Sequence, residues 1–280
     1  MANADIGGIR INYQVTGTGQ PLLMLAPGGF DATIAKWSAG GIWKEVMPLE
    51  TFGWEFQMIA YDRREMGASG GRIEPLTWDL YAEEALGLLD HLGIKDAYVI
   101  GGCIGCSLAA RIAAIAPARC KALLLHWPVG GYRWMLKGRT AFDAHLKHIR
   151  AHGLAGAVES ARKTPSFWRD AAGGPWAAVI AGDAAFADAF LRQDLGKYTR
   201  IVEQSRDNLF NDTMPSGATG AELMAMKVPA HIMSGDDASH ATSAAHALRE
   251  LMPDAKLSPL MPPQQNGATV SAWIRAAAGA

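Results

Sequence analysis

Cys103 stands between glycines in the run Val99-Ile100-Gly101-Gly102-Cys103-Ile104-Gly105-Cys106-Ser107-Leu108-Ala109-Ala110. Ala97 to Ile100 reads as an apolar strand and Leu108 to Ile115 as an alanine-rich helix. Gly101, Cys103 and Gly105 have the spacing of the G-x-S-x-G nucleophile elbow, with cysteine in the serine place. A side chain at the tip of a strand-to-helix turn needs a strained backbone, and small flanking residues relieve the crowding. The positive end of the following helix favours a thiolate there. The rival reading is a glycine-rich turn around an inert buried thiol. The strand before the motif and the helix after it favour the reactive one. Cys103 and Cys106 also form a C-x-x-C pair, a redox pattern, but nothing thioredoxin-like surrounds it, and Cys106 is expected to pack under the turn.

A second stretch with chemical use is Pro27-Gly28-Gly29-Phe30, at the end of the apolar run Pro21 to Ala26. Glycines there let backbone N–H groups face a ligand. Such groups, with the amide of Ile104, would make the two halves of an oxyanion hole. An ordinary turn is the alternative.

These residues need a frame. Ile9 to Val15 alternates like a half-exposed strand, whereas Pro21 to Ala26 is a continuous apolar run, as in a strand buried on both faces, and Phe56 to Tyr61 and Cys120 to Leu125 read as the next buried strands. Ala35 to Leu49, with Trp37 and Trp43 as anchors, and Leu80 to Leu92 read as helical. From Tyr132 to about Met226 strand-like runs vanish. Amphipathic stretches appear instead, at His145 to Leu154, Ala155 to Arg162, Ala184 to Leu191 and Tyr198 to Leu209, with breaks at Gly173-Gly174-Pro175 and Met214-Pro215-Ser216-Gly217. Strand character returns at Val228 to Met233 and Lys256 to Met261, with helices at Ser243 to Leu251 and Gly267 to Ala278. Alternating strands and helices predict an α/β chain with a mostly parallel central sheet covered on both faces. The expected units are a first core part (1–131), a helical cap (132–226) and a second core part (227–280).

The length of 280 residues suits one large domain with an insertion. A net charge of -1 without basic clusters argues against a nucleic-acid partner. Three cysteines (Cys103, Cys106 and Cys120) without framework spacing argue against a disulfide scaffold and for a reducing compartment. The first residues lack a basic start followed by an apolar stretch, and no apolar run reaches membrane-spanning length. A cytoplasmic protein acting on a small molecule is expected, with no nucleic acid or membrane partner. A homodimer stays open.

Leu22 to Phe30, Tyr61-Asp62-Arg63 through Gly67-Ala68-Ser69, the elbow, and Val228-Pro229 through Gly235-Asp236-Asp237 together resemble the α/β-hydrolase fold superfamily. The resemblance covers about Gly8 to Val129 and Val228 to Ala278. It implies a helical cap after the strand ending at His126, no required cofactor and no metal. It also implies Cys103 as nucleophile, the amides of Gly29 and Ile104 as oxyanion hole, and Asp236 or Asp237 as triad acid, with Asp237 preferred on its offset from Gly235. The Gly-x-Cys-x-Gly run is locally similar to dienelactone hydrolases.

The sequence departs from that pattern where a Gly-His normally follows the last strand. Met261-Pro262-Pro263-Gln264-Gln265-Asn266-Gly267 holds no histidine, and none follows. His240, three residues after Asp237, is the first choice of base. His126, at the end of the strand after the elbow helix, is a base or substrate ligand in second place, and His145 and His148 lie in the cap. A cysteine tolerates a poorer base than serine does.

The leading expectation is hydrolysis of a small ester, lactone or thioester through a Cys103 acyl-enzyme, in a pocket shaped by Gly28, Phe30, His126 and the aromatic residues Trp127, Tyr132, Trp134, Trp168 and Trp176. Alternatives are a non-hydrolytic enzyme of the same fold, such as a lyase or cofactor-free oxygenase, and a non-catalytic ligand-binding protein.

Overall fold

The computed structural model describes residues 1–211 and 217–279. Among them, eight strands form one sheet: β1 (Ala2–Ile6), β2 (Ile9–Thr16), β3 (Gln20–Leu25), β4 (Phe56–Tyr61), β5 (Ala97–Gly102), β6 (Cys120–His126), β7 (Ala230–Met233) and β8 (Ala255–Leu257). Their order is β1-β2-β4-β3-β5-β6-β7-β8. β1 and β2 run antiparallel at one edge, and the other six are parallel. The chain leaves β3 for β4 on one side and returns to β5 on the other. That reversal opens a crevice at the carboxyl ends of β3 and β5, where open sheets of this kind bind ligands.

Residue alternation decides which core each strand side chain joins. Leu23, Leu25, Ile59, Val99, Leu123, Leu125 and Ile232 pack on one face of the sheet, with α4 (Trp78–His91), α5 (Ile104–Ile115) and α11 (Thr242–Leu251). Leu22, Met24, Met58, Ile100, Leu124 and Met233 pack on the other. There they meet α1 (Lys36–Ala39), α2 (Trp43–Val46), α3 (Pro48–Thr51) and α12 (Gly267–Ala278), through Trp37, Trp43, Val270 and Ile274. Burial on both faces is why the inner parallel strands are mostly apolar, with polar side chains near their starts, as at Gln57 and Lys121.

Between β6 and β7 the described residues form the helices α6 (Tyr132–Lys163), α7 (Ala177–Gly182), α8 (Ala184–Leu191), α9 (Leu195–Leu209) and α10 (Gly220–Ala225). α6 runs through both expected stretches there and is interrupted at Gly153, whose φ of 65° and ψ of -173° leave the helical region. The expected break at Met214-Pro215-Ser216 lies outside the described residues.

Several boundaries differ from expectation. β1 was not foreseen, because Ala-Asn-Ala-Asp-Ile has no strand composition. It forms by pairing with β2, with Ala4 opposite Ile11. The stretch 35–49, which reads as one helix or two short ones, forms three short ones, broken at Gly40-Gly41 and at Met47, which has φ 41°. The last strand ends at Leu257, and Pro262–Gln264 is a 3-10 turn.

Candidate active site

Cys103 sits between β5 and α5 with φ 54° and ψ -119°, a conformation that costs a non-glycine residue about 1–3 kcal/mol. The surroundings hold it there. Its N–H donates to the His126 carbonyl at 3.0 Å, and its own carbonyl accepts from Cys106 N–H at 3.1 Å. A Cβ on Gly101 would collide with the Gly105 backbone, and a Cβ on Gly105 with the Leu25 carbonyl. The glycines are therefore required by close backbone approach of helix and strand. α5 starts at Ile104, directly after Cys103, rather than at Leu108. The N–H of Ile104 thus belongs to the first helical turn, where amides have no intrahelical acceptor.

Cys106 lies beneath the turn. Its Sγ is 3.1 Å from the Gly101 carbonyl oxygen and 3.3 Å from that of His126. Burial pushes its thiol well up, and Cys103 adds to the rise, so Cys106 stays protonated and braces the elbow. No disulfide joins it to Cys103.

The Pro27-Gly28-Gly29 turn is fastened from below. Arg63 Nη2 donates to the Gly29 carbonyl at 2.7 Å, and its guanidinium lies 4.2 Å from the Tyr81 ring centre. Asp62 holds the adjoining loops, accepting from Ile34 N–H at 2.8 Å, Asn12 Nδ2 at 2.8 Å and Ala68 N–H at 2.9 Å. Both residues stood in the sequence resemblance without an assigned task. Gly28 and Gly29 have φ of 116° and 62°, values L side chains rarely adopt. The Trp168 indole covers Gly29 so closely that a Cβ there would collide with it.

His240 arrives from the loop after β7. An isolated parallel bridge between Gly130 and His240 carries the β6–β7 pairing past the strand ends. Its Nδ1 donates to Asp237, 2.8 Å from Oδ2 and 2.9 Å from Oδ1. Asp237 Oδ1 also accepts the Ser239 and His240 amides at 2.7 and 2.9 Å. With Nδ1 donating, the tautomer leaves Nε2 as the acceptor. Nε2 is buried and makes no regular hydrogen bond among the described residues. Burial works against charge on this imidazole, but the Cys103 sulfur and the Asp237 carboxylate outweigh it and raise its pKa. Asp237 is shifted the other way: burial works to raise its pKa, but hydrogen bonds from His240 and Ser239 hold it below the ordinary value. Asp236 is exposed and takes no part in this contact.

The position where the resemblance puts a histidine is organised by Gln265. Its Oε1 accepts from Trp127 Nε1 at 2.6 Å, and its Nε2 donates to the Ser234 and Leu260 carbonyls, both at 2.9 Å. Trp127, held at φ 54°, stacks on His126 with 5.7 Å between ring centres, and His240 leans on it at 5.4 Å. Gly235 makes room, since a Cβ there would come within 2.6 Å of His240 Cβ.

Cys103, His126, Trp127 and His240 share a cavity of about 350 Å³, walled also by Pro27, Gly28, Lys36 and the segment 39–43. That volume is within the range of small-molecule sites. His126 is 3 % exposed, and burial pushes its pKa down to about 3, with His240 adding to the fall. It is therefore a neutral imidazole, with a buried Nε2 that has no partner among the described residues.

Other expected site residues lie elsewhere. Phe30 is 2 % exposed, buried in an edge-to-face cluster with Phe142, Phe167 and Trp168. Trp134 packs on Trp168 and Phe210, and Trp176 donates to the Arg72 carbonyl at 2.9 Å. Tyr132, opening α6, is 63 % exposed. These aromatics are drawn into packing or left in solvent because the helices need a core of their own. His145 spends both ring nitrogens there, at 3.0 Å from the Ala172 carbonyl and 2.8 Å from the Tyr198 hydroxyl. Burial lowers its pKa to about 4. His148 lies against His152 on the same helix, 4.7 Å between ring centres. Neither His145 nor His148 lines the Cys103 cavity.

Residues 21–144 match the family model of the alpha/beta hydrolase fold. The carbamate-hydrolase candidate RutD of Azorhizobium caulinodans is 30 % identical over 125 residues, 45 % of this chain and 43 % of that protein. The 2-hydroxymuconate semialdehyde hydrolase of Pseudomonas sp. strain CF600 is 31 % identical over 124 residues, 44 % of this chain and 41 % of that one. The chain thus spans under half the length of these curated relatives. Among solved structures, Est816, described as degrading N-acyl homoserine lactones, has a TM-score of 0.64 at 20 % identity, covering 98 % of this chain and 99 % of that one. At that identity the likeness concerns the fold.

Proposed function

We propose that this chain, which has the α/β-hydrolase fold, is a hydrolase that cleaves a small ester, lactone or thioester through a Cys103 acyl-enzyme. The observation that carries this reading is a relay of three groups, two of which, Cys103 and His240, line one cavity while Asp237 stands behind His240. Cys103 sits in a strained elbow, its sulfur acts on His240, and His240 is held through Nδ1 by Asp237. The helical block 132–226 serves as the cap.

In the first step His240 Nε2 takes the Cys103 thiol proton, and the thiolate adds to the substrate carbonyl. The Ile104 amide, with that of Gly29, stabilises the oxyanion, and one such donor is worth roughly 3 kcal/mol. The tetrahedral species collapses. The bond to the leaving group breaks, and that group takes the proton from His240 Nε2, giving a thioester on Cys103. In the second step Nε2, now an acceptor, takes a proton from water as the water oxygen attacks the thioester carbonyl. Collapse releases the acid and restores the thiolate beside a protonated His240. Atoms balance as ester plus water giving acid plus alcohol. Neutral His126 supplies a hydrogen bond to bound substrate without competing for the proton.

Cys103→Ala is expected to abolish turnover of 4-nitrophenyl acetate, while the wild type shows an acyl adduct on Cys103 by mass spectrometry. Full turnover by Cys103→Ala would end the reading. The absence of a histidine from residues 261–267, where Gln265 instead holds Trp127, favours a second reading, a non-hydrolytic reaction in the same cavity. Labelled water separates the two, since hydrolysis places solvent oxygen in the acid product.

A further inference from the structure

We propose that the substrate of this site carries a carboxylate on its acyl half and that Lys36 binds it. The proposal rests on the hydrolase reading and adds the chemical class of the acyl group. Lys36 opens α1 and borders the Cys103 cavity. Its side chain lies along the glycine turn, with Cε 3.2 Å from where a Cβ on Gly28 would stand. Among the residues lining the cavity it is the one with a fixed charge, and no carboxylate lines it. The other titratable groups there are Cys103, His240 and neutral His126.

Lys36 makes no ion pair among the described residues, although fifteen arginine, lysine and histidine contacts elsewhere among them show how readily this chain pairs its cations. Asp31 shares the neighbouring cavity of about 550 Å³ with Lys36. Its Oδ2 accepts from the Ser166 hydroxyl at 2.9 Å, and it forms no bridge to the lysine. A half-buried lysine beside apolar walls (Ile42, Trp43 and Trp127) is a recognition element for an anion, because the low-dielectric surroundings strengthen a charge-assisted bond. The acyl half stays on Cys103 through both chemical steps, next to the turn on which Lys36 lies, while the leaving group departs with the proton of His240.

Alkylation by iodoacetate and by iodoacetamide, read at Cys103 by peptide mass spectrometry, tests the cation independently of hydrolysis. Lys36→Met is expected to lower the ratio of the iodoacetate to the iodoacetamide rate constant by about tenfold, and Lys36→Arg to restore most of it. The same variant is expected to lower, by about tenfold, the ratio of kcat/KM for mono-4-nitrophenyl glutarate to that for 4-nitrophenyl pentanoate. Unchanged ratios in Lys36→Met overturn the proposal, as does a Cys103 that neither reagent reaches. A chain that shifts its alkylation ratio but hydrolyses neither ester keeps the anion site and loses the hydrolase reading.

Discussion

Replacing Asp237 by Asn tests the polar machinery with little change of shape. The carboxylate does two jobs: Oδ1 accepts the Ser239 and His240 amides, and both oxygens face His240 Nδ1 within 2.9 Å. An asparagine keeps one oxygen for the turn and turns an NH₂ group toward Nδ1. Nδ1 must then accept, Nε2 must carry the proton, and the imidazole can no longer take one from water. The lost charge can be sized. Asp237 is 49 % exposed at its side chain, so solvent screens the pair. At about 4 Å between charge centres and an effective dielectric of ~40, the attraction is about 2 kcal/mol, or roughly 30-fold in the stability of the imidazolium. Adding the wrong tautomer, kcat/KM for a chromogenic ester is expected to fall about 100-fold or more, with the His240 limb of the pH–rate profile moved to lower pH. The melting temperature should move little, because the turn keeps its acceptor. An activity within threefold of wild type, with an unmoved pH profile, would refute the assignment of Asp237 to His240.

Two further outcomes follow from packing. Gly105→Ala sets a methyl against the Leu25 carbonyl at the elbow, so it is expected to cost about 3 kcal/mol or more in urea unfolding and to lower expression. Glu65 is 0 % exposed, with both carboxylate oxygens unpartnered apart from Arg64 at 3.7 Å, and burial pushes its pKa up to about 8. A folded-state pKa above the unfolded value of 4.5 means the stabilising contribution is complete below pH 4.5 and is lost as pH rises through about 8. Glu65→Gln should therefore flatten the fall in melting temperature between about pH 5 and 8. A variant curve parallel to wild type would show that Glu65 is charged in the folded chain.

Much of the frame was legible because it is written in short-range rules. Apolar runs gave the inner strands, since each is buried on both faces. The expected α8 span, Ala184 to Leu191, coincides with the observed helix. The start of α5 was misplaced by four residues because glycine and cysteine are weak helix formers in isolation, and only the close approach of Gly105 to Leu25 makes a helix there favourable. The aromatic residues of the insertion looked like pocket walls because large apolar side chains line pockets and cores alike. Trp134 and Trp176 went to the core, and no local pattern distinguishes the two fates.

The sequence by itself determined the elbow: Gly-x-Cys-x-Gly between a strand and a helix is a steric arrangement, and sterics between neighbours act whatever the rest of the chain does. It also determined that the loop Met261-Pro262-Pro263-Gln264-Gln265-Asn266-Gly267 holds no histidine. Tertiary structure decided which groups meet Cys103. It paired His240 with Asp237 rather than its neighbour Asp236, left Asp236 in solvent, made His126 neutral by burial, gave Gln265 the task of holding Trp127, and put Lys36 on the wall of the cavity. Those choices depend on where loops far apart in the chain come to rest and on how much water they exclude. Charge state and hydrogen-bond partner follow from that exclusion, and residue type alone does not contain it.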